Sequence, residues 1–141
     1  MSIDENKIRF TREWLVAANN DLLAVSRLLQ DPPLTALAAF HCQQAVEKAL
    51  KGYLMWHDTP FRKTHNLLEL VEQCSTHDGS FIELKEIAES LTPYATEARY
   101  PDTELDMSRE ALADSQRMVT SALAFVRGRL PDVVTTPMTS G

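Results

Sequence analysis

Apolar residues recur along most of this chain at intervals of three and four, and nowhere do they alternate with polar ones as a half-buried strand requires. Leu15, Ala18, Leu22, Val25 and Leu29 predict a first helix over residues 10–29. Asp31-Pro32-Pro33 stops it and is suited to start the next, since Asp caps and Pro fits a first helical turn. A second helix is predicted over residues 34–56, with Ala39, Cys42, Val46, Ala49, Tyr53 and Trp56 on one apolar stripe. After a loop with Pro60 and the basic pair Arg62-Lys63, a third helix follows over residues 65–75, with Asn66 and Glu69 in cap-like spacing. Asp78-Gly79 reads as a turn, and Ser80 with Glu83 as a capping box for a fourth helix that Pro93 interrupts. The last helix is predicted over residues 105–130, with Ala111, Ser115, Met118, Ala122 and Val126 on one face. Residues 131–141, rich in Pro, Thr and Ser and without periodicity, read as a disordered tail. The expected fold is therefore all-α: an antiparallel up-and-down bundle of four or five helices over residues 1–130.

Composition narrows the function. A formal net charge of −6 argues against broad binding to nucleic acid or acidic membranes, while leaving room for a local basic site. No apolar run approaches the roughly 20 residues of a membrane-spanning helix. Cys42 and Cys74, both in helical patterns, suggest small buried side chains in a reduced, cytoplasmic setting. With four Gly residues and neither phosphate-loop nor dinucleotide spacing, no cofactor is expected. The four His are scattered, so no metal site is expected either.

The second helix also carries a polar stripe, His41, Gln44, Lys48 and Lys51. It is either a cation pair facing a cleft and binding phosphate, or a solvated face with Glu47 and Lys51 paired at i,i+4. His65 stands where a third helix would offer free N–H groups to an anion, or else caps and packs the loop. Arg99 and Tyr100 close the fourth helix, either as a phosphate ligand with a stacking partner or as a terminal cation with a packed ring. Asp21 falls on a small, apolar helix face and needs a partner, for which Lys48 and Arg99 are the candidates.

Three patches resemble the HEPN domain family: Trp14–Ala18 with Asp21-Leu22 and Ala24, Gln43–Lys51 followed by Thr64-His65-Asn66-Leu67, and Ala98-Arg99-Tyr100-Pro101. The resemblance implies a helical bundle, commonly a homodimer, often encoded beside a minimal nucleotidyltransferase in pairs that can act as toxin and antitoxin. Some relatives are metal-independent ribonucleases with an Arg and a His four to six residues apart near the last helices. Here no His follows Arg99, and Arg62 and His65 lie too close together in another loop. The expected function is a non-catalytic nucleotide- or RNA-phosphate-binding and interaction module, with Lys48, Lys51, His65, Arg99 and Tyr100 as ligand residues and no catalytic residue. A ribonuclease or toxin, and a purely structural dimeric bundle, are the alternatives.

Overall fold

The computed structural model describes residues 2–136, with side chains for residues 5–98 and 100–136. Among these there are six α-helices and no strand: α1 (Ser2–Leu28), α2 (Thr35–Trp56), α3 (Leu67–Ser75), α4 (Lys85–Leu91), α5 (Arg109–Arg127) and α6 (Asp132–Thr135). Three 3-10 segments, Gly79–Leu84, Thr92–Ala95 and Glu97–Arg99, join α3 to α5 around α4. The all-α bundle expected from the periodicity is what the chain forms.

Paired residues give the helix directions. Lys7 Nζ donates to Asp58 at 3.1 Å, Asp21 is bonded to His41 and Lys48, and Leu34 N donates to Leu28 O, so α1 and α2 are antiparallel. They pack closely at Gly52, where an added Cβ would lie 3.1 Å from Trp14 Cβ. Residues 57–66 then retrace α2. His65 returns to Glu47, Cys74 Sγ donates to Leu50 O, and the His77 ring packs near Tyr53. Thus α3 runs in the same sense as α2. The chain doubles back through α4, whose following residue Thr92 accepts from Leu67 N at 3.1 Å. α5 then returns from Tyr94, whose hydroxyl donates to Asp106 O, to Phe125, which meets Phe81 edge to face at 5.2 Å.

α2 is the axis of this arrangement. Val46, Leu50 and Leu54 are fully enclosed, as are Leu70, Phe81 and Leu112 from the surrounding elements. Each such side chain contributes about 1.5–3 kcal/mol on burial.

Helix ends depart from the sequence pattern where caps outweigh periodicity. α1 begins at Ser2 rather than near residue 10, because its charged first turns find partners: Lys7 on Asp58 and Trp56, Arg9 on Glu13. Asp31 does not cap α2 but pairs with Arg109 of α5, and α2 starts at Thr35 without a side-chain cap. His65 precedes α3, whose cap is Asn66 accepting from Leu68 N. Asp78, not Ser80, caps the next turn, and that turn is 3-10 before it becomes α4. α5 starts at Arg109, capped by Ser108 accepting from Ala111 N at 3.1 Å. Its buried face includes Leu112, Val119 and Leu123 beside Ser115, Ala122 and Val126, while Ala111 and Met118 are half-buried.

The tail also differs. Residues expected to lack structure form α6, which returns to α1. Val134 is buried, and Arg12 Nε donates to Val133 O at 2.8 Å. The preset φ of Pro131 and the apolar Val133-Val134 pair account for the turn and its docking. Residues 137–141 of the expected tail lie outside the described residues.

Candidate functional site

Two buried carboxylates organise the polar side of α2. Asp21 reaches across from α1. Its Oδ1 lies 2.8 Å from His41 Nδ1, and its Oδ2 accepts from Lys48 Nζ at 2.8 Å. Lys48 is thus the partner Asp21 requires.

Directly before Lys48 in the chain, Glu47 is almost wholly enclosed. Its Oε1 accepts from Gln43 Nε2 at 3.0 Å and lies 3.0 Å from His65 Nδ1; its Oε2 accepts from Lys51 Nζ at 3.0 Å. Gln43 is itself buried and fully engaged, donating to His65 O at 2.9 Å and accepting from Gln44 Nε2 at 2.8 Å. Burial pushes the Glu47 carboxyl up. Hydrogen bonds from Gln43, His65 and Lys51, with the Lys51 charge, outweigh that and hold it below its ordinary value.

Lys51 is more than a member of an i,i+4 pair. Its ammonium sits 5.2 Å from the Phe61 ring centre and 5.8 Å from that of Trp14, two rings that meet edge to face. The i,i+4 contact weighed against phosphate binding in the sequence is therefore present, in an enclosed setting. His65 is the opposite case. Its side chain is 67% exposed, Nδ1 faces Glu47, and Nε2 has no protein partner among the described residues. Arg62 and Lys63, both exposed, precede it on the same loop.

The structure thus gathers Lys48, Lys51 and His65 on one stretch of α2 and its covering loop. It does not bring Tyr100 into that network. Tyr100 is 62% exposed and shares a shallow hollow with Glu97, Asp102, Thr103 and Glu104, whose carboxylates repel phosphate. The Arg99 side chain lies outside the described residues. Among those described, no three His, Cys, Asp or Glu side chains converge to hold a metal ion. Burial pushes the Cys42 thiol up to about 12 and the Cys74 thiol higher still, so neither is a nucleophile near neutral pH.

Sequence reasoning did not single out Glu47 and Gln43 as buried site residues. The signal was available: both fall among Ala39, Val46, Leu50 and Leu54, so a carboxylate and an amide one turn apart enter an apolar surface and must satisfy each other there.

Fold and site together define a helical bundle with an internally paired polar seam along its central helix. The chain belongs to the HEPN family, whose domain model matches residues 11–128. Membership supports a nucleotide- or RNA-related module. The crystal structure of TT1696 from Thermus thermophilus is similar, with a TM-score of 0.76 at 28% identity, covering 85% of this chain and 98% of that one. No curated protein matches the chain. No helix among the described residues is long and apolar enough to cross a membrane.

Proposed function

We propose that the protein is a non-catalytic, homodimeric module that binds a nucleotide or RNA phosphate along α2 and pairs with a minimal nucleotidyltransferase, as in toxin–antitoxin pairs. One observation carries the reading: exposed His65, oriented by buried Glu47, shares that carboxylate with Lys51, one turn along α2 from it, and follows Arg62-Lys63, while Lys48 on the same helix pairs with Asp21. The two lysines balance the two carboxylates, and the exposed Nε2 edge of His65 hydrogen-bonds a phosphate oxygen drawn in by the flanking Arg62 and Lys63. Arg99, at the end of a 3-10 turn that adjoins α2, is the second contact in this proposal. Tyr100, set among carboxylates, is not a ligand in this proposal.

The test is binding of labelled single-stranded RNA and of a mononucleotide to His65→Ala and Arg99→Ala. His65 is chosen because its exposure spares the core. Each variant is expected to bind roughly tenfold more weakly, the worth of one charge-assisted hydrogen bond. Unchanged affinity in both sinks the proposal. Co-purification with a nucleotidyltransferase expressed from the neighbouring reading frame tests the partner.

A second reading, a metal-independent ribonuclease, is favoured by the two carboxylate–imidazole pairs, Glu47–His65 and Asp21–His41. A carboxylate on Nδ1 fixes the tautomer and leaves Nε2 as a proton acceptor, the orientation a general base uses. Metal-independent RNA cleavage that disappears in His65→Ala would replace the binding module with this enzyme.

A further inference from the structure

Away from α2, a cavity of about 420 Å³ opens between α1, the end of α5 and the returning α6. It shares no residue with the polar seam of α2. Two arginines line it, Arg12 from α1 and Arg127 from α5, together with Asn19, Thr135 and Thr136. Among the described residues no carboxylate lines it. Arg12 is oriented by its bond to Val133 O. Neither the Arg127 guanidinium nor the Asn19 amide has a hydrogen-bond or ion-pair partner among the described residues. The rest of the wall is apolar and includes Leu15 and Val134, both core residues. Two like-charged residues bordering one partly enclosed space repel each other, and an anion bound there offsets that cost. Its volume is within the roughly 300–1,000 Å³ of ligand pockets, and its lining has their usual plan of apolar walls with a few convergent polar groups.

We infer that this cavity is a second binding site, for a small organic oxyanion: a phosphate or carboxylate head held by Arg12 and Arg127, with an apolar body against Leu15 and Val134. Asn19 and Thr135 supply the neutral hydrogen bonds. Since α6 forms one wall and hangs on Arg12, a bound ligand also fastens α6 to the bundle.

The experiment is calorimetric titration of the full chain with phenyl phosphate, benzoate, benzamide and inorganic phosphate. Phenyl phosphate or benzoate is expected to bind, their difference naming the preferred head group. Inorganic phosphate should bind more weakly for want of a body, and neutral benzamide not at all. Arg127→Ala removes an unpartnered side chain and Asn19→Phe fills the space. Both should melt like the wild type and bind about tenfold or more weakly. His65→Ala, at the other site, should bind these probes normally. Absence of binding by both aromatic anions at millimolar concentration overturns the inference. So do equal binding of benzamide, unchanged affinity in both cavity variants, or loss of binding in His65→Ala.

Discussion

Glu47 accepts from Gln43 and Lys51 and pairs with His65, and its charge has a calculable consequence. Its carboxyl lies below the ordinary value of 4.5 that it regains on unfolding. Ionised Glu47 therefore stabilises the fold fully above about pH 4.5, and that contribution is lost as acid titrates it through its lower folded value. Glu47→Gln keeps the shape but leaves Lys51 without its counter-charge. It is expected to lower stability by about 1–3 kcal/mol at neutral pH and to flatten the acid limb, measured by urea unfolding from pH 3 to 7. His57 titrates in a different window. Burial, the stacked His77 ring at 4.6 Å and Lys7 depress it below 6.5, outweighing Asp58 and Asp78. The unfolded chain takes up this proton first, so stability declines as pH falls below about 6.5. His57→Phe preserves the contact with Tyr53 and should abolish that decline, leaving the Glu47 limb in place. A pH profile identical to wild type above pH 5 would remove His57 from the account.

At the scale of elements, what the sequence makes legible is helix interiors, because a three-four apolar spacing survives any choice of cap. Ends are set by single hydrogen bonds that periodicity does not encode. Ser108 shows this. Leu105 and Met107 continue the apolar pattern, yet the helix starts only where the Ser108 hydroxyl accepts from Ala111 N. Ser108→Ala should cost about 1 kcal/mol, read as a lower unfolding midpoint, with fraying confined to the start of α5. The site was legible in part for the same reason. Lys48, Lys51 and His65 are conspicuous as charges, whereas Glu47 and Gln43 matter through contacts to a loop that returns along α2, a path no local pattern announces. Gly52 belongs here too. Nothing nearby in sequence requires a glycine, but an added Cβ would press on Trp14 of α1 at 3.1 Å, tighter than ordinary contact. Gly52→Val should push α1 and α2 apart at a cost of about 1–3 kcal/mol, visible in thermal unfolding and in changed Trp14 fluorescence.

For the whole molecule, the question is what covers the apolar surface that remains. Trp14, Leu28 and Phe125, apolar residues that lie off the main stripes of their helices, do not require a second copy. Trp14 meets Phe61, Phe125 meets Phe81, and Leu28 packs on the core, all within one chain. Other apolar residues are left outside, Phe10, Val16, Ile82 and Val133 among them, and three more are grouped. Leu23, Leu34 and Leu37 are each about half exposed and lie at the same end of the α1–α2 hairpin, where Leu34 N bonds Leu28 O. Apolar side chains grouped at one end of a bundle suit a two-fold contact, in which the same patch meets itself. The homodimer we propose is expected to form there. Light scattering should give twice the 15.9 kDa chain mass at micromolar concentration for the wild type. Leu34→Glu with Leu37→Glu should give the monomer mass with an unchanged helical spectrum, since exposed positions contribute little to the fold itself. A wild-type monomer would eliminate the dimer; a dimer that persists in the double variant would move the interface to another face.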